Sequence, residues 1–199
     1  HEKDKHVLVL TDSTNGYEKL SEYDVDYSDA AHTAEHESTI RSWRHGYSFR
    51  PGKYAQTDYN FKTPSTSLMA KESAKSAFNF AKSFEVYDYH GRHPNSGRGS
   101  HLARVRMEQL EAGQDLAYGD GSYRSFTPGG KFKFQYHRSA AEVGKEYVVT
   151  GVEMRATVGG SYNVGEGEGY FEYGNSFVCA PAAIVCRPER RTPRPVVEG

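Results

Sequence analysis

The stretch FTPGGKFKFQYH, Phe126–His137, and the run KEYVVTGVEMRATV, Lys145–Val158, that comes after it decide the fold class. After a Gly129-Gly130 turn, Phe132, Phe134 and Tyr136 fall on alternate positions. A period of two puts them on one side of a strand. Tyr147, Val149 and Val152 supply the inward residues of the second strand. A third strand, YFEYGNSFVCAP (Tyr170–Pro181), comes after a Gly/Glu turn, NVGEGEG. From Phe126 onward the pattern is strand after strand.

Upstream the pattern is broken. HVLVLTD (His6–Asp12) reads as a short buried strand stopped by the turn cluster DSTNGY, and residues 17–38 read as acidic and irregular. STIRSWRHGYSF (Ser38–Phe49) alternates, with Ile40, Trp43, Tyr47 and Phe49 as core candidates and a register change near Trp43 or a bulge at Gly46. RPGK then turns the chain into YAQTDYNF (Tyr54–Phe61), which reads as the return strand of a hairpin. SLMAKESAKSAFNFAKS (Ser67–Ser83) fits a short helix or a surface loop, and FEVYDY (Phe84–Tyr89) a strand. SHLARVRMEQLEA (Ser100–Ala112) predicts a helix of about three turns, with Ser100 as N-cap and Gly113 as stop. Leu102, Val105, Met107 and Leu110 lie near one face; Arg104, Arg106, Glu108 and Glu111 read as its solvated side.

Composition agrees with this reading. The 199 residues suit one domain or two small ones, and aromatics reach 13%, with 15 Tyr and 10 Phe. Tyr and Phe favour half-buried pleated surfaces, and 20 Gly supply turns. The expectation is a mainly β, α+β fold: a strand-rich barrel or sandwich with one helix and long loops.

The net charge of -1 gives no general pull toward nucleic acid or membrane. Residues 1–38 carry three Lys and no Arg against ten Asp and Glu, a balance of -7. Residues 39–199 carry 22 Lys and Arg against 16 Asp and Glu, a balance of +6. No run approaches the roughly 20 apolar residues of a membrane span. There is no initiator Met and no signal peptide, so the chain reads as a piece of a longer protein. Cys179 and Cys186 read as a pair of reduced thiols, a local disulfide being the minority alternative.

One string invites a catalytic reading. HTAEH (His32–His36) spells H-x-x-E-H, so His32 and His36 could ligate zinc from one helix face while Glu35 takes a proton from the bound water. That chemistry needs a helix beneath the motif and a third ligand on a second helix. The string precedes a strand pattern with no long helix nearby, so the three residues read as a decoy. GEGEG (Gly165–Gly169) lacks the spacing and following helix of a dinucleotide site. Neither a metal, a cofactor nor a catalytic residue is assigned, and the chain is read as a non-enzyme.

The C-terminal run RPERRTPRPVVEG (Arg187–Gly199) is Pro-stiffened and basic. With the preceding strand it resembles the signature that closes the hub of VgrG proteins of the type VI secretion system. The matching residues are Tyr173, Asn175, Phe177, Cys179, Pro181, Arg187, Pro188, Thr192, Pro193, Pro195 and Gly199. EVYDYHGRH, HLARVRMEQLEA and FTPGGKFKFQYH…KEYVVTGVEM are similar to further family segments in the right order, with departures at His90, Met154 and Cys186.

The resemblance implies an antiparallel β-barrel of the phage tail hub type. Residues 1–37 would end the preceding hub portion, 38–186 would form the second barrel with the helix 100–112 inserted, and 187–199 would be a linker to an oligosaccharide-binding-like barrel. It implies a structural spike component that is trimeric in the full protein and seated on a hexameric tube protein. Effector or adaptor proteins would ride on it, without nucleic acid or membrane anchor. It would reside in the bacterial cytoplasm before firing and be translocated afterwards. The same fold in a phage tail or an extracellular injection particle is the alternative, a zinc hydrolase a remote one. Tyr173, Asn175, Phe177, Arg187, Pro188, Arg190, Arg191, Thr192, Pro193 and Pro195 are the expected inter-domain or inter-subunit contacts.

Overall fold

The computed structural model describes residues 8–28, 38–159, 170–192 and 195. In chain order the elements are β1 (Glu18–Asp26), β2 (Ile40–Tyr47), β3 (Lys53–Gln56), β4 (Ala70–Ser73), β5 (Glu85–Asp88), α1 (Ser96–Ala112), β6 (Asp115–Gly121), β7 (Gly130–Tyr136), β8 (Glu146–Gly159) and β9 (Tyr170–Pro181). The zinc-like string His32, Glu35 and His36 and the GEGEG turn lie outside the described residues, as does Pro193.

The chain forms two compact units, each discontinuous in sequence. The first takes residues up to Tyr47 and Asp115–Ile184; the second takes Ser48–Gln114 and the residues from Val185 onward. The inserted segment is therefore larger than a helix, and the C-terminal strap belongs with it.

The first unit is a six-stranded sheet in the order β1-β7-β8-β9-β6-β2. Neighbours are antiparallel except β1 and β7, which run parallel. A bridge between Tyr27 and Ile40 joins the two outer strands, and Ser28 N donates to Ile40 O at 2.9 Å. The sheet thus curls toward closure, and closure removes an exposed edge. Inside it Phe126, Phe132, Phe134, Tyr147, Val149 and Phe177 pack as the core. Trp43 stands edge-on to Phe134 and Tyr147, each ring centroid 4.8 Å away. Aromatic edge-to-face contacts of this kind add to area burial.

A register shift between Val149 and Gly151 explains why Tyr147 and Val149 point inward and Val152 follows at the wrong parity. The alternation continues across it. Gly119 is required where β6 crosses Phe177: a Cβ there would lie 2.5 Å from Phe177 Cζ. Gly129 takes φ 87 in the turn before β7, a conformation open to glycine.

In the second unit β4-β3-β5 form a small sheet, β3 pairing antiparallel with β4 and parallel with β5. Helix α1 covers it, burying Ala103 and Met107 against Tyr54 and Ala70.

Several sequence expectations are corrected. Residues 8–12 form no strand, and Leu8, Val9 and Leu10 are exposed. The segment read as irregular contains β1, because Leu20, Val25 and Tyr27 are buried through a register break that hides their alternation. Tyr47 and Phe49 are exposed at the end of β2 rather than core. The RPGK turn makes no hairpin: β2 pairs with β6, and Lys53 N donates to Phe84 O as β3 enters the second sheet. Tyr136 is exposed, unlike Phe132 and Phe134. The helix has 17 residues rather than three turns, and its N-cap is Asn95, whose Oδ1 accepts from Arg98 N at 2.9 Å. Glu111 is buried, accepting from Ser76 N at 2.8 Å and Ser76 Oγ at 3.1 Å, so that side of the helix is not solvated.

Candidate assembly surfaces

Beyond Met154 and Asn175, where β6 ends its pairing with β9, the β8–β9 pair leaves the sheet as a two-stranded ribbon. Cross-strand pairing places Met154 opposite Asn175, Ala156 opposite Tyr173 and Val158 opposite Phe171. Antiparallel partners share a face, and this face continues the one on which Val152 and Phe177 turn into the core. The apolar stripe therefore runs out of the core uncovered: Val158 is 80%, Phe171 54% and Met154 49% exposed. Arg124 lies over the Phe171 ring at 5.0 Å and the Tyr173 ring at 5.7 Å. An isolated two-stranded ribbon is marginal in water, and this one exposes Met154, Val158 and Phe171 on one face.

The opposite face is polar. Glu153, Arg155 and Thr157 face Ser176, Gly174 and Glu172. With Arg41 and Asp120, Arg155, Thr157 and Glu172 line a shallow cleft of about 320 Å³. Asp120 is held ionised by hydrogen bonds from Ser42 Oγ at 2.5 Å and Ser176 Oγ at 2.7 Å, which put its carboxyl below the usual range. Asp120 is thus committed to the sheet.

The motif residues separate by position. Phe177 is 3% exposed and packs against Phe126 at 4.7 Å between centroids. Asn175 is buried, its Nδ2 donating to Tyr123 O at 2.6 Å, which ties β9 to the β6–β7 loop. Tyr173 is half-buried at the base of the ribbon. In the strap, Arg187 donates through Nε at 2.9 Å and Nη2 at 2.7 Å to Glu108 Oε2 within the second unit. Pro188, Arg190, Arg191, Thr192 and Pro195 are exposed. In the same unit Phe49, Phe80 and Phe84 form a second exposed apolar patch, with Phe49 centroids 6.1 Å from Phe80 and 5.3 Å from Phe84.

The constellation closest to an active site surrounds Glu142, and sequence reading missed it. Its Oε2 accepts from Tyr147 OH at 2.5 Å and Trp43 Nε1 at 3.3 Å; its Oε1 accepts from Lys145 Nζ at 2.9 Å. His45 Nε2 is 3.4 Å from the same carboxylate, while His45 Nδ1 is 2.7 Å from Asp115 Oδ1. Burial opposes the ionised Glu142, but the bonds from Tyr147 and Lys145 and their neighbouring charge outweigh it and hold the carboxyl down at about 2. Burial first, then Glu142, pushes the Tyr147 hydroxyl up. The two carboxylates approach His45 from opposite ring nitrogens and cannot share one ion. Among the described residues no three His, Cys, Asp or Glu side chains converge as a metal site. With its oxygens taken up by Tyr147, Trp43 and Lys145, Glu142 ties the loop before β8 to the core. Among the described residues no helix is long and apolar enough to cross a membrane.

Against known proteins, residues 1–160 match the family model described as phage tail baseplate hub (GPD). The whole chain aligns with the type VI secretion system spike proteins VgrG1c and VgrG1b of Pseudomonas aeruginosa, at 29% and 28% identity. It spans 27% of the length of each. Among solved structures, the 43 kDa tail protein of prophage MuSo2 from Shewanella oneidensis shares the fold, with a TM-score of 0.52 and 6% identity. That likeness covers 86% of this chain and 46% of the tail protein.

Proposed function

Since the chain belongs to the phage tail baseplate hub family, we propose that it serves as a hub segment of a type VI secretion spike, a part built for assembly rather than catalysis. Its likeness to two spike proteins along its full length supports the secretion system over a phage tail as its setting. The single observation that carries the reading is the β8–β9 ribbon, whose apolar face continues the core stripe into solvent. A spike hub fits that need: trimeric in the full protein, placed against a hexameric tube, carrying effector or adaptor proteins, and translocated from the bacterial cytoplasm on firing. The ribbon face, the Phe49 patch and the exposed Arg190 and Arg191 are the surfaces offered for those contacts.

The test uses the full-length protein. Val158→Asp with Phe171→Asp is expected to abolish its oligomer in light scattering and its export in a secretion assay, while the thermal midpoint of the 199-residue chain moves little. An unchanged oligomer and unchanged export would refute the ribbon as an assembly surface.

A further inference from the structure

Helix α1 carries two acids three residues apart, Glu108 and Glu111, and each holds a different stretch of chain. Glu111 binds Ser76 and so pins the segment after β4. Glu108 binds Arg187, the first residue of the basic strap, with two guanidinium N–H groups converging on Oε2. Both side chains are shielded, 20% exposed for Arg187 and 12% for Glu108. Such a pair is shielded from salt and loses more on breaking than a surface pair.

Past Arg187 the described strap residues, Pro188–Thr192, have little else to hold them. Pro188–Thr192 are exposed and, among the described residues, make no backbone hydrogen bond. The Glu189–Arg191 pair is wide, 3.9 Å, and solvated. Pro188 fixes the backbone directly after the anchored residue, so the direction set at Arg187 carries into the strap beyond it. We propose that Glu108 is a positioning residue for the strap: it latches Arg187 to α1, and this one latch decides whether Arg190 and Arg191 are presented on a fixed or a loose chain. The strap is an anchored arm of the helical unit rather than a passive linker.

Limited trypsin digestion reads this directly. The Arg187–Pro188 bond resists trypsin because proline comes next, so cleavage reports Arg190 and Arg191. Glu108→Ala is expected to raise cleavage at Arg190 and Arg191 about tenfold, the ratio that a loss of about 1.4 kcal/mol gives, with Glu108→Gln intermediate. The exchanged pair Glu108→Arg with Arg187→Glu is expected to return to near the wild-type rate. Hydrogen exchange across α1, followed by mass spectrometry, checks that the helix stays folded. If Glu108→Ala loosens the helix, Arg187→Ala leaves it untouched and carries the same expectation. Wild-type cleavage in Arg187→Ala, or an exchanged pair cut as fast as the single variants, would overturn the latch.

Discussion

Tyr147 donates its hydroxyl to Glu142 across 2.5 Å, and the same carboxylate oxygen takes the Trp43 indole N–H at 3.3 Å. The bond joins the loop before β8 to the centre of the aromatic core. Its pH dependence comes from the Glu142 carboxyl, held at about 2 against an ordinary 4.5. The folded value is depressed, so the contribution is complete above pH 4.5 and is lost as pH falls from 4.5 toward 2. The span corresponds to about 3 kcal/mol at most. Urea unfolding followed by Trp43 fluorescence should show a midpoint falling through this window, with the slope reduced in Glu142→Gln. A midpoint flat from pH 5 to 3 would contradict the assignment.

Gly119 and Phe177 form a second dependent pair. A Cβ at 119 would stand 2.5 Å from Phe177 Cζ, and Phe177 is enclosed by Phe126 and Phe132. Gly119→Ala is expected to cost about 1–3 kcal/mol through overpacking. Phe177→Leu vacates the space that Ala needs, so the double variant should lose less than the sum of the single losses. Additive losses in a double-mutant cycle would mean that the ring is not what the glycine accommodates.

The start of α1 shows how far the sequence could be read. Its C-terminal half carries a clear helical period and ends at Gly113, as the sequence indicates. Its first turn, Ser96-Gly97-Arg98-Gly99, has the composition of a loop. Gly99 is there because His93 lies against the helix: a Cβ at 99 would be 2.6 Å from His93 Cδ2. His93 is in turn fixed by Leu68 O, 2.8 Å from its Nε2. A tertiary contact overrode local propensity, which sequence alone does not display. Asn95→Ala should therefore cost about 1 kcal/mol by loss of the cap. Gly99→Ala should cost more despite its better helix propensity, a reversal that thermal unfolding would detect.

The same division runs through the rest of the fold. Phe132, Phe134, Tyr147 and Val149 were legible because simple alternation marks a strand with one buried face. β1 was not, since its bulged register interrupts the alternation. β6 was not, since its buried positions are the small residues Ala117, Gly119 and Gly121, Gly119 leaving room for Phe177, and they carry little apolar signal of their own. The VgrG-like closing motif identified the family. The ribbon's uncovered stripe required the register of β8 on β9, because Met154, Val158 and Phe171 look like ordinary strand residues until their neighbours are known.

Glu111 offers a test of whether charge or geometry matters on the buried side of α1. It is 7% exposed and accepts both the Ser76 amide and the Ser76 hydroxyl through Oε1. Gln114 Nε2 donates to Ser76 O at 2.7 Å, so the serine is held from both ends of its peptide unit. Glu111→Ala leaves a buried amide without its acceptor and is expected to cost about 1–3 kcal/mol. Glu111→Gln keeps an oxygen where Oε1 sits and gives up only the charge-assisted part of each bond, so its loss should be less than half as large. Chemical denaturation of the three proteins separates the cases. Equal losses for Ala and Gln would show that the negative charge holds the Ser76 segment, and no loss for either would show that the segment is held by Gln114 alone.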